Sequence, residues 1–301
     1  MMHKHNSLYA VKQRQTRFAA TVFLFPCIFF LTVFIAYPII RSFYTSTLQW
    51  NGMGRKTVFI GLENWKSLVT DFNFWAAFGN NIRIMFLSLV FQVPFAMILA
   101  TFLDITGKKG ILFKVIWFLP YLISSVAIGV LFRFALDANY GIIASISKML
   151  GGGSVDLLGR PGIALYTVIG VICWQYIPFY MVLYLAAYGN IPVELYEAAS
   201  IDGATRNQYF WLVSLPLLQP TIISGMTISI IGSLKYFDLI FVMTGGGPGV
   251  STEIMSTLMY KTSFVKYDMG YGATIACGMF LLITLIALFT VTILNKKAEI
   301  R

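Results

Sequence analysis

The chain has 301 residues, of which 58% are hydrophobic and 11% charged; soluble domains carry about 25% charged residues, so an ordinary soluble globule is excluded. The formal charge of +10 is scattered over every loop rather than gathered in a stripe, which argues against a nucleic-acid partner and for membrane topology and anionic lipid headgroups. Cys27, Cys173 and Cys277 sit in apolar stretches and His3 and His5 in the polar start, so neither a disulfide framework nor a metal site is expected.

Six apolar runs, at residues 18–40, 82–103, 111–135, 162–188, 217–237 and 271–294, are long enough to cross about 30 Å of hydrocarbon as helices. Strands of a barrel would alternate apolar and polar residues over about ten positions. The expected fold is therefore an all-α integral membrane protein with six transmembrane helices. Residues 1–17 read as a cytoplasmic N-terminal segment. The first run is longer than a signal-peptide core of about 7–15 residues and no small-residue cleavage site follows it; Phe25 and Pro26 before Cys27 are too bulky for a lipoprotein box. It reads as a retained helix. Residues 41–81 form an extracytoplasmic loop, 82–294 a core holding the second to sixth helices, and 295–301 a cytoplasmic tail.

Orientation follows from the basic residues, which gather on the cytoplasmic side in short loops. Lys4, Lys12, Arg14 and Arg17, then Lys108, Lys109 and Lys114, and finally Lys296, Lys297 and Arg301 fall on one side. Both termini are expected inside. Arg41, Arg55, Lys56 and Lys66 in the first outside loop run against this trend.

Polar side chains inside apolar runs are costly and point to function. The third run carries Tyr121 and Ser125, and the fourth carries Gln175 and Tyr176 with Phe179 a turn later. The fifth carries Ser229, Ser233 and Tyr236 on one helical stripe. Most fall near mid-helix, where transporters place solute sites; Tyr236 lies towards the outer end. Together they offer hydroxyls, an amide and flat aromatic faces without a charge, a set that suits a sugar. The same serines also serve to stitch helices together. The lack of a cation among them weighs against an anionic solute. Arg133 and Asp137, and Lys235 and Asp238, are expected to pair or snorkel at the outer interface, with gating by Lys235 and Asp238 as the sharper alternative. Pro26, Pro94 and Pro178 are expected to kink helices.

Between the fourth and fifth runs lies a polar island, residues 194–216. Its pattern predicts a short helix, a break at Gly203 and a second amphipathic helix ending near Leu215-Pro216. It fits either a helix resting on the membrane interface or a connector gripped by another protein. The chain has no G-x-x-x-x-G-K-[ST] run to cradle ATP phosphates. Any ATP hydrolysis coupled to it belongs to another polypeptide.

Glu197-Ala198-Ala199, Gly203 and Val213-Ser214-Leu215-Pro216 match the spacing of the EAA loop in the inner-membrane permease subunits of ATP-binding-cassette (ABC) importers, with Val in place of Ile. Phe59-Ile60-Gly61-Leu62-Glu63-Asn64-Trp65, Ile201-Asp202-Gly203-Ala204 and Thr244-Gly245-Gly246-Gly247-Pro248 resemble motifs of the carbohydrate-uptake branch: permeases for maltose-like oligosaccharides, multiple sugars and glycerol phosphate. The last motif is closest to the maltose F-type subunit. The resemblance covers essentially all six runs.

This resemblance implies a type I ABC importer permease fold in the bacterial inner membrane, translocating a sugar or oligosaccharide and catalysing no covalent chemistry. It implies a second homologous permease, two ATP-binding subunits that hold ATP and Mg, and an extracellular solute-binding protein. Glu197, Ala198, Ala199, Asp202, Gly203, Leu215 and Pro216 would form the ATPase-coupling loop. Alignment on Phe118-Leu119-Pro120-Tyr121, Trp174 with Pro178, and Thr244 to Pro248 carries the maltose permease's sugar contacts onto Tyr121, Ser125, Gln175, Tyr176, Ser229, Ser233 and Tyr236. Several amides of that permease are replaced here, so the sugar itself does not carry over, and glycerol phosphate stays an alternative. An ion-coupled secondary transporter would call for a mid-membrane Asp, Glu or His, which the runs lack. A membrane enzyme acting on a lipid-linked sugar would call for a carboxylate pair or metal cluster; Glu194, Glu197 and Asp202 imitate one without His or Cys beside them.

Overall fold

The computed structural model describes residues 21–54 and 56–299, with side chains as far as residue 293. The start through residue 20, with its histidines and basic residues, lies outside the described residues, as do Arg55, Arg301 and the side chains of Lys296 and Lys297. Described residues are mostly helical, with a single two-stranded hairpin. The chain divides into one unit within Met1–Val69 and Thr262–Cys277 and another within Thr70–Lys261 and Gly278–Arg301.

In the first unit, α1 (Thr21–Thr45) is apolar throughout, and its most hydrophobic window has no buried residue. A face of bare Phe, Ile and Leu on every side is what lipid, not water, solvates. Strands β1 (Leu48–Gln49) and β2 (Val58–Phe59) pair antiparallel, Leu48 opposite Phe59. Helix α2 (Glu63–Thr70) then locks the hairpin. Asn64 Nδ2 donates to the carbonyls of Ser46 and Leu48, both at 3.0 Å, and Trp65 Nε1 donates to Ser46 Oγ at 3.0 Å. The Trp65 ring stacks on Phe43 at 6.3 Å and 10°. The Asn-Trp pair of the first-loop motif is therefore a brace.

The second unit begins with α3 (Phe72–Thr106), which continues through a 3-10 turn (Gly107–Gly110) into α4 (Ile111–Leu122). At about 1.5 Å per residue, the 35 residues of α3 outrun a bilayer core of about 30 Å. The run expected at 111–135 is not one helix: α4 and α5 (Ser125–Ala135) are separated at Ile123-Ser124, where Ile123 is extended with ψ 139°. Helix α6 (Ile142–Met149) follows, then α7 (Pro161–Tyr188), α8 (Val193–Ile201), α9 (Arg206–Ser233), α10 (Asp238–Met243), α11 (Met255–Tyr260) and α12 (Met269–Glu299), which begins in the first unit. Among the described residues, five helical stretches are long and apolar enough to span: α1, α3 with α4, α7, α9 and α12.

The core forms around α3 and α7. Ala96 and Ala100, one turn apart on α3, are fully buried, and small residues at that spacing let membrane helices approach closely. Thr101 Oγ1 and the Tyr188 hydroxyl close the same contact at 2.7 Å. Helix α5 packs on α10 through Ile128, Leu239, Ile240 and Met243. Ile230 and Leu234 meet Ile283 in a smaller cluster, flanked by Ile82, Met85 and Leu89.

The fifth run also departs from expectation. Its helix starts at Arg206 rather than 217 and ends at Ser233 rather than 237. The predicted stop near Leu215-Pro216 does not occur. A π-turn at Phe210–Ser214 precedes Pro216, with Leu215 N–H bonding to the Phe210 carbonyl, and such a turn accommodates a prolyl nitrogen that has no proton to give.

Candidate functional site

The end of α9 decides the geometry of the cavity. Leu234–Phe237 forms a non-helical link into α10, and the link is pinned twice. Asn81 Nδ2 donates to the Leu234 carbonyl at 3.4 Å, and Ser256 Oγ donates to the Tyr236 carbonyl at 2.6 Å. Phe237 stacks on Phe241 at 5.1 Å and 15°. Tyr236 thus leaves the helical stripe predicted for it and faces a cavity of about 320 Å³, at the small end of the range of roughly 300–1,000 Å³ usual for ligand pockets.

The opposite wall comes from the break in the third run. Pro120 cannot donate a helical hydrogen bond, the chain turns extended at Ile123, and Tyr121 and Ser125 on either side of the break both line the cavity. A broken backbone within a membrane must be satisfied by protein. Gln175 Nε2 does this, donating to the Ile123 carbonyl at 3.4 Å and to Ser125 Oγ at 3.2 Å. From α7, Tyr176, Phe179 and Tyr180 complete the wall. Tyr121 stacks on Phe179 at 5.2 Å and 30°, meets Tyr176 edge-on at 6.0 Å, and Tyr176 meets Tyr236 at 5.5 Å.

Of the seven residues singled out from the sequence, Tyr121, Ser125, Tyr176 and Tyr236 line the cavity. Gln175, 2% exposed, stands behind Ser125. Ser229 and Ser233 are buried away from it: Ser229 Oγ donates to Gln92 Oε1 at 2.9 Å, and Ser233 Oγ donates to the Ser229 carbonyl at 2.7 Å. Ser229 stitches α9 to α3, whereas Ser233 bonds within its own helix. Sequence reasoning passed over Gln92 and Ser88, which are fully buried on α3 four residues apart; an amide in an apolar run was the available signal.

The expected pairings of Arg133 with Asp137 and Lys235 with Asp238 do not form. Among the described residues the ion pair is Lys261 with Glu253. Asp137 instead accepts the N–H groups of Asn139 and Tyr140 at 2.8 and 3.0 Å, which hold its carboxyl below the usual carboxylate range. Lys235 and Asp238 both line the cavity together with Phe237 and Gly232. The expectation of a wall without a cation is therefore corrected, because Lys235 as well as Asp238 lines the cavity, both of them exposed.

The Thr244-to-Pro248 loop is a brace behind the link. Thr244 Oγ1 and Thr252 Oγ1 lie 2.7 Å apart, and Thr252 Oγ1 donates to the Gly247 carbonyl at 2.7 Å. Asn80 Nδ2 donates to the carbonyls of Glu253 and Val250 at 2.9 and 3.2 Å, and Asn81 Oδ1 accepts from Met255 N–H at 3.0 Å. Glu253, 3% exposed, is met by Lys261 Nζ and Thr257 Oγ1, each at 2.5 Å. Gly246 has φ +89°, and a Cβ there would come within 2.5 Å of the Glu253 carboxylate, so the motif needs glycine at this position on both counts.

Beyond the C-terminal end of α7, the Glu197 segment forms α8, which has no buried residue. Val193 and Ile201 are 62% and 85% exposed. Gly203, φ +75°, terminates α8 in a Schellman motif: its N–H bonds to the Ser200 carbonyl at 3.2 Å, and Ala204 N–H bonds to the Ala199 carbonyl at 2.9 Å. Thr205 then caps α9 through a reciprocal box with Gln208. Asp202 is the C-cap of α8, Glu197, Ala198 and Ala199 occupy its body, and Leu215 and Pro216 lie inside α9.

Comparisons with known proteins agree with these features. Residues 92–300 match the family described as the binding-protein-dependent transport system inner membrane component. The chain is 34% identical over 275 residues to a probable ABC transporter permease protein of Bacillus subtilis, covering 90% of this chain and 94% of that one. It is 30% identical over 283 residues to the trehalose/maltose transport system permease MalF of Thermococcus litoralis, covering 93% and 94%. Among solved structures it is similar to a chain of a bacterial ABC transporter involved in the import of the acidic polysaccharide alginate, with TM-score 0.81, 25% identity and coverage of 95% and 98%. This chain belongs to the family of binding-protein-dependent inner-membrane transport components: it is a multi-pass, non-catalytic permease subunit of an ABC transporter.

Proposed function

We propose that the chain forms part of the translocation path for a sugar or oligosaccharide, released by an extracellular binding protein and moved by ATP hydrolysis on two partner subunits. The observation that carries this reading is the cavity wall of Tyr121, Tyr176, Phe179 and Tyr236, whose ring faces suit the C–H faces of a sugar ring, with Ser125 and tyrosine hydroxyls for its oxygens. The named trehalose/maltose and alginate transport of its relatives supports the same class. Tyr121, Ser125, Tyr176 and Tyr236 are the direct contacts in this reading. Gln175 holds Ser125 in place, and Ser229 keeps α9 on α3.

In this reading the third expected run crosses as α4 and α5 together, making six crossings with both termini in the cytoplasm. A second homologous permease closes the other side of the path. Helix α8 through Gly203 then lies inside the cell, where its bare Val193, Tyr196 and Ile201 would dock on an ATPase subunit. A rigid-body swing of that subunit reaches the cavity through α7 on one side and α9 on the other. Uptake of a panel of radiolabelled oligosaccharides by cells carrying the importer tests the reading. A sugar whose uptake falls about tenfold or more in Tyr176→Ala, a loss of roughly 1.4 kcal/mol of binding or transition-state stabilisation, is the expected result. Wild-type uptake of every sugar by that variant would overturn it.

A further inference from the structure

Two charges stand in the cavity wall without a partner among the described residues. Lys235 and Asp238, three residues apart, both line the cavity, and neither side chain has a hydrogen-bond or ion partner among the described residues. Their backbone cannot swing aside readily, because Asn81 and Ser256 hold the carbonyls of Leu234 and Tyr236 and Phe237 is stacked on Phe241. Surface charges ordinarily face open water. Lys235 and Asp238 are themselves exposed, and they border a recess walled by aromatic rings, so a ligand entering it comes within reach of both.

We propose that Asp238 and Lys235 are specificity-determining contacts of this cavity, the Asp238 carboxylate accepting adjacent hydroxyls of a neutral sugar and the Lys235 ammonium donating to a further oxygen. The proposal rests on the reading of the cavity as a sugar path. A carboxylate only accepts hydrogen bonds and an ammonium only donates them, so a polyol, which does both through each hydroxyl, satisfies the two at once. A sugar acid satisfies Lys235 but is repelled by Asp238. The pair therefore favours neutral, vicinally hydroxylated sugars over uronic acids, and the rings supply the stacking surface that both kinds of sugar share.

The test compares wild type, Asp238→Asn and Lys235→Met in cells carrying the complete importer. Uptake is followed for a transported neutral oligosaccharide, its monodeoxy analogues and its uronic-acid counterpart. The binding protein is the same in every strain, so its own preferences cancel in the ratio of variant to wild type. Ratios between sugars within one strain are also independent of how much variant reaches the membrane. Asp238→Asn should slow uptake of the neutral sugar about tenfold, the size of one hydrogen bond to a charged group. It should slow the analogue lacking the contacted hydroxyl far less, and raise uronate uptake relative to neutral. Lys235→Met should lower that last ratio. If each variant loses the same factor on every sugar, the assignment is overturned while the sugar reading stands. A wild-type importer that moves none of these sugars overturns both.

Discussion

Gly203 shows how one residue's backbone can carry a function. Its φ of +75° closes α8, and a Cβ there would meet no atom within 4 Å, so any penalty comes from the backbone, about 1–2 kcal/mol for an ordinary L-residue. Gly203→Val should therefore lose uptake while reaching the membrane at normal levels, and Gly203→Asn, which tolerates this conformation better, should keep more of it; uptake per membrane-inserted protein measures the difference. Ser229→Ala should do the reverse. It strands Gln92 Oε1 in a fully buried position, at a cost of about 1–3 kcal/mol, so the melting temperature in detergent should fall with the order of sugar preference unchanged. Asp137 predicts a pH response. Its depressed folded value means that its stabilisation of the following turn is complete above the unfolded carboxyl value of about 3.9 and is lost as pH falls through the lower folded value. Amide exchange at Tyr140 should therefore stay slow down to about pH 4 and quicken below it. Tyr121, Tyr176 and Tyr236 were legible from the sequence, because a tyrosine in an apolar run needs a polar outlet, whereas Tyr180 and Phe237, which also line the cavity, were passed over. Ser229 and Ser233 were not separable from the three tyrosines, because a serine in a membrane serves a cavity and a helix contact equally well.

At the scale of elements, the interruptions of the helices matter more than the helices. The break between α4 and α5 and the link after α9 expose backbone that Gln175, Asn81 and Ser256 satisfy, and both interruptions face the same cavity. Apolar runs in the sequence marked where helices lie but not where they stop, since apolar residues continue on both sides of Ile123-Ser124, and in Leu234–Phe237 only Lys235 interrupts them. The motif glycines and the Asn-Trp pair were visible as motifs, while their role as braces depends on partners tens or hundreds of residues away, such as Asn80 with Glu253. The brace behind the link yields a stability prediction. Glu253→Ala removes one half of a largely buried ion pair and leaves Thr257 and Lys261 without their acceptor. Because Lys261 is 30% exposed, the expected cost is about 1–3 kcal/mol rather than that of a fully buried pair. The double variant Glu253→Gln with Lys261→Met should recover part of it, since it leaves no unpaired charge. Thermal melting of the three proteins decides.

At the scale of the molecule, the chain carries a cavity beside the middle of α7 and an exposed helix just after its C-terminal end, and no G-x-x-x-x-G-K-[ST] run in its sequence. Its class was legible from composition and from the spacing of the Glu197-to-Pro216 segment, because a long apolar run leaves few choices of fold and a Schellman glycine between two helices is a local demand. The cavity's charged pair was not legible, because Lys235 and Asp238 near the end of an apolar run look like residues reaching for the membrane surface. In the function proposed above, this permease moves its solute at the expense of ATP hydrolysed elsewhere, through α8. The direct measurement is solute uptake into vesicles containing the assembled importer and loaded binding protein, with ATP and the proton gradient varied separately. Uptake should require internal ATP, persist when the proton gradient is collapsed, and vanish in Gly203→Val. Uptake that continues without ATP and collapses with the proton gradient would contradict it.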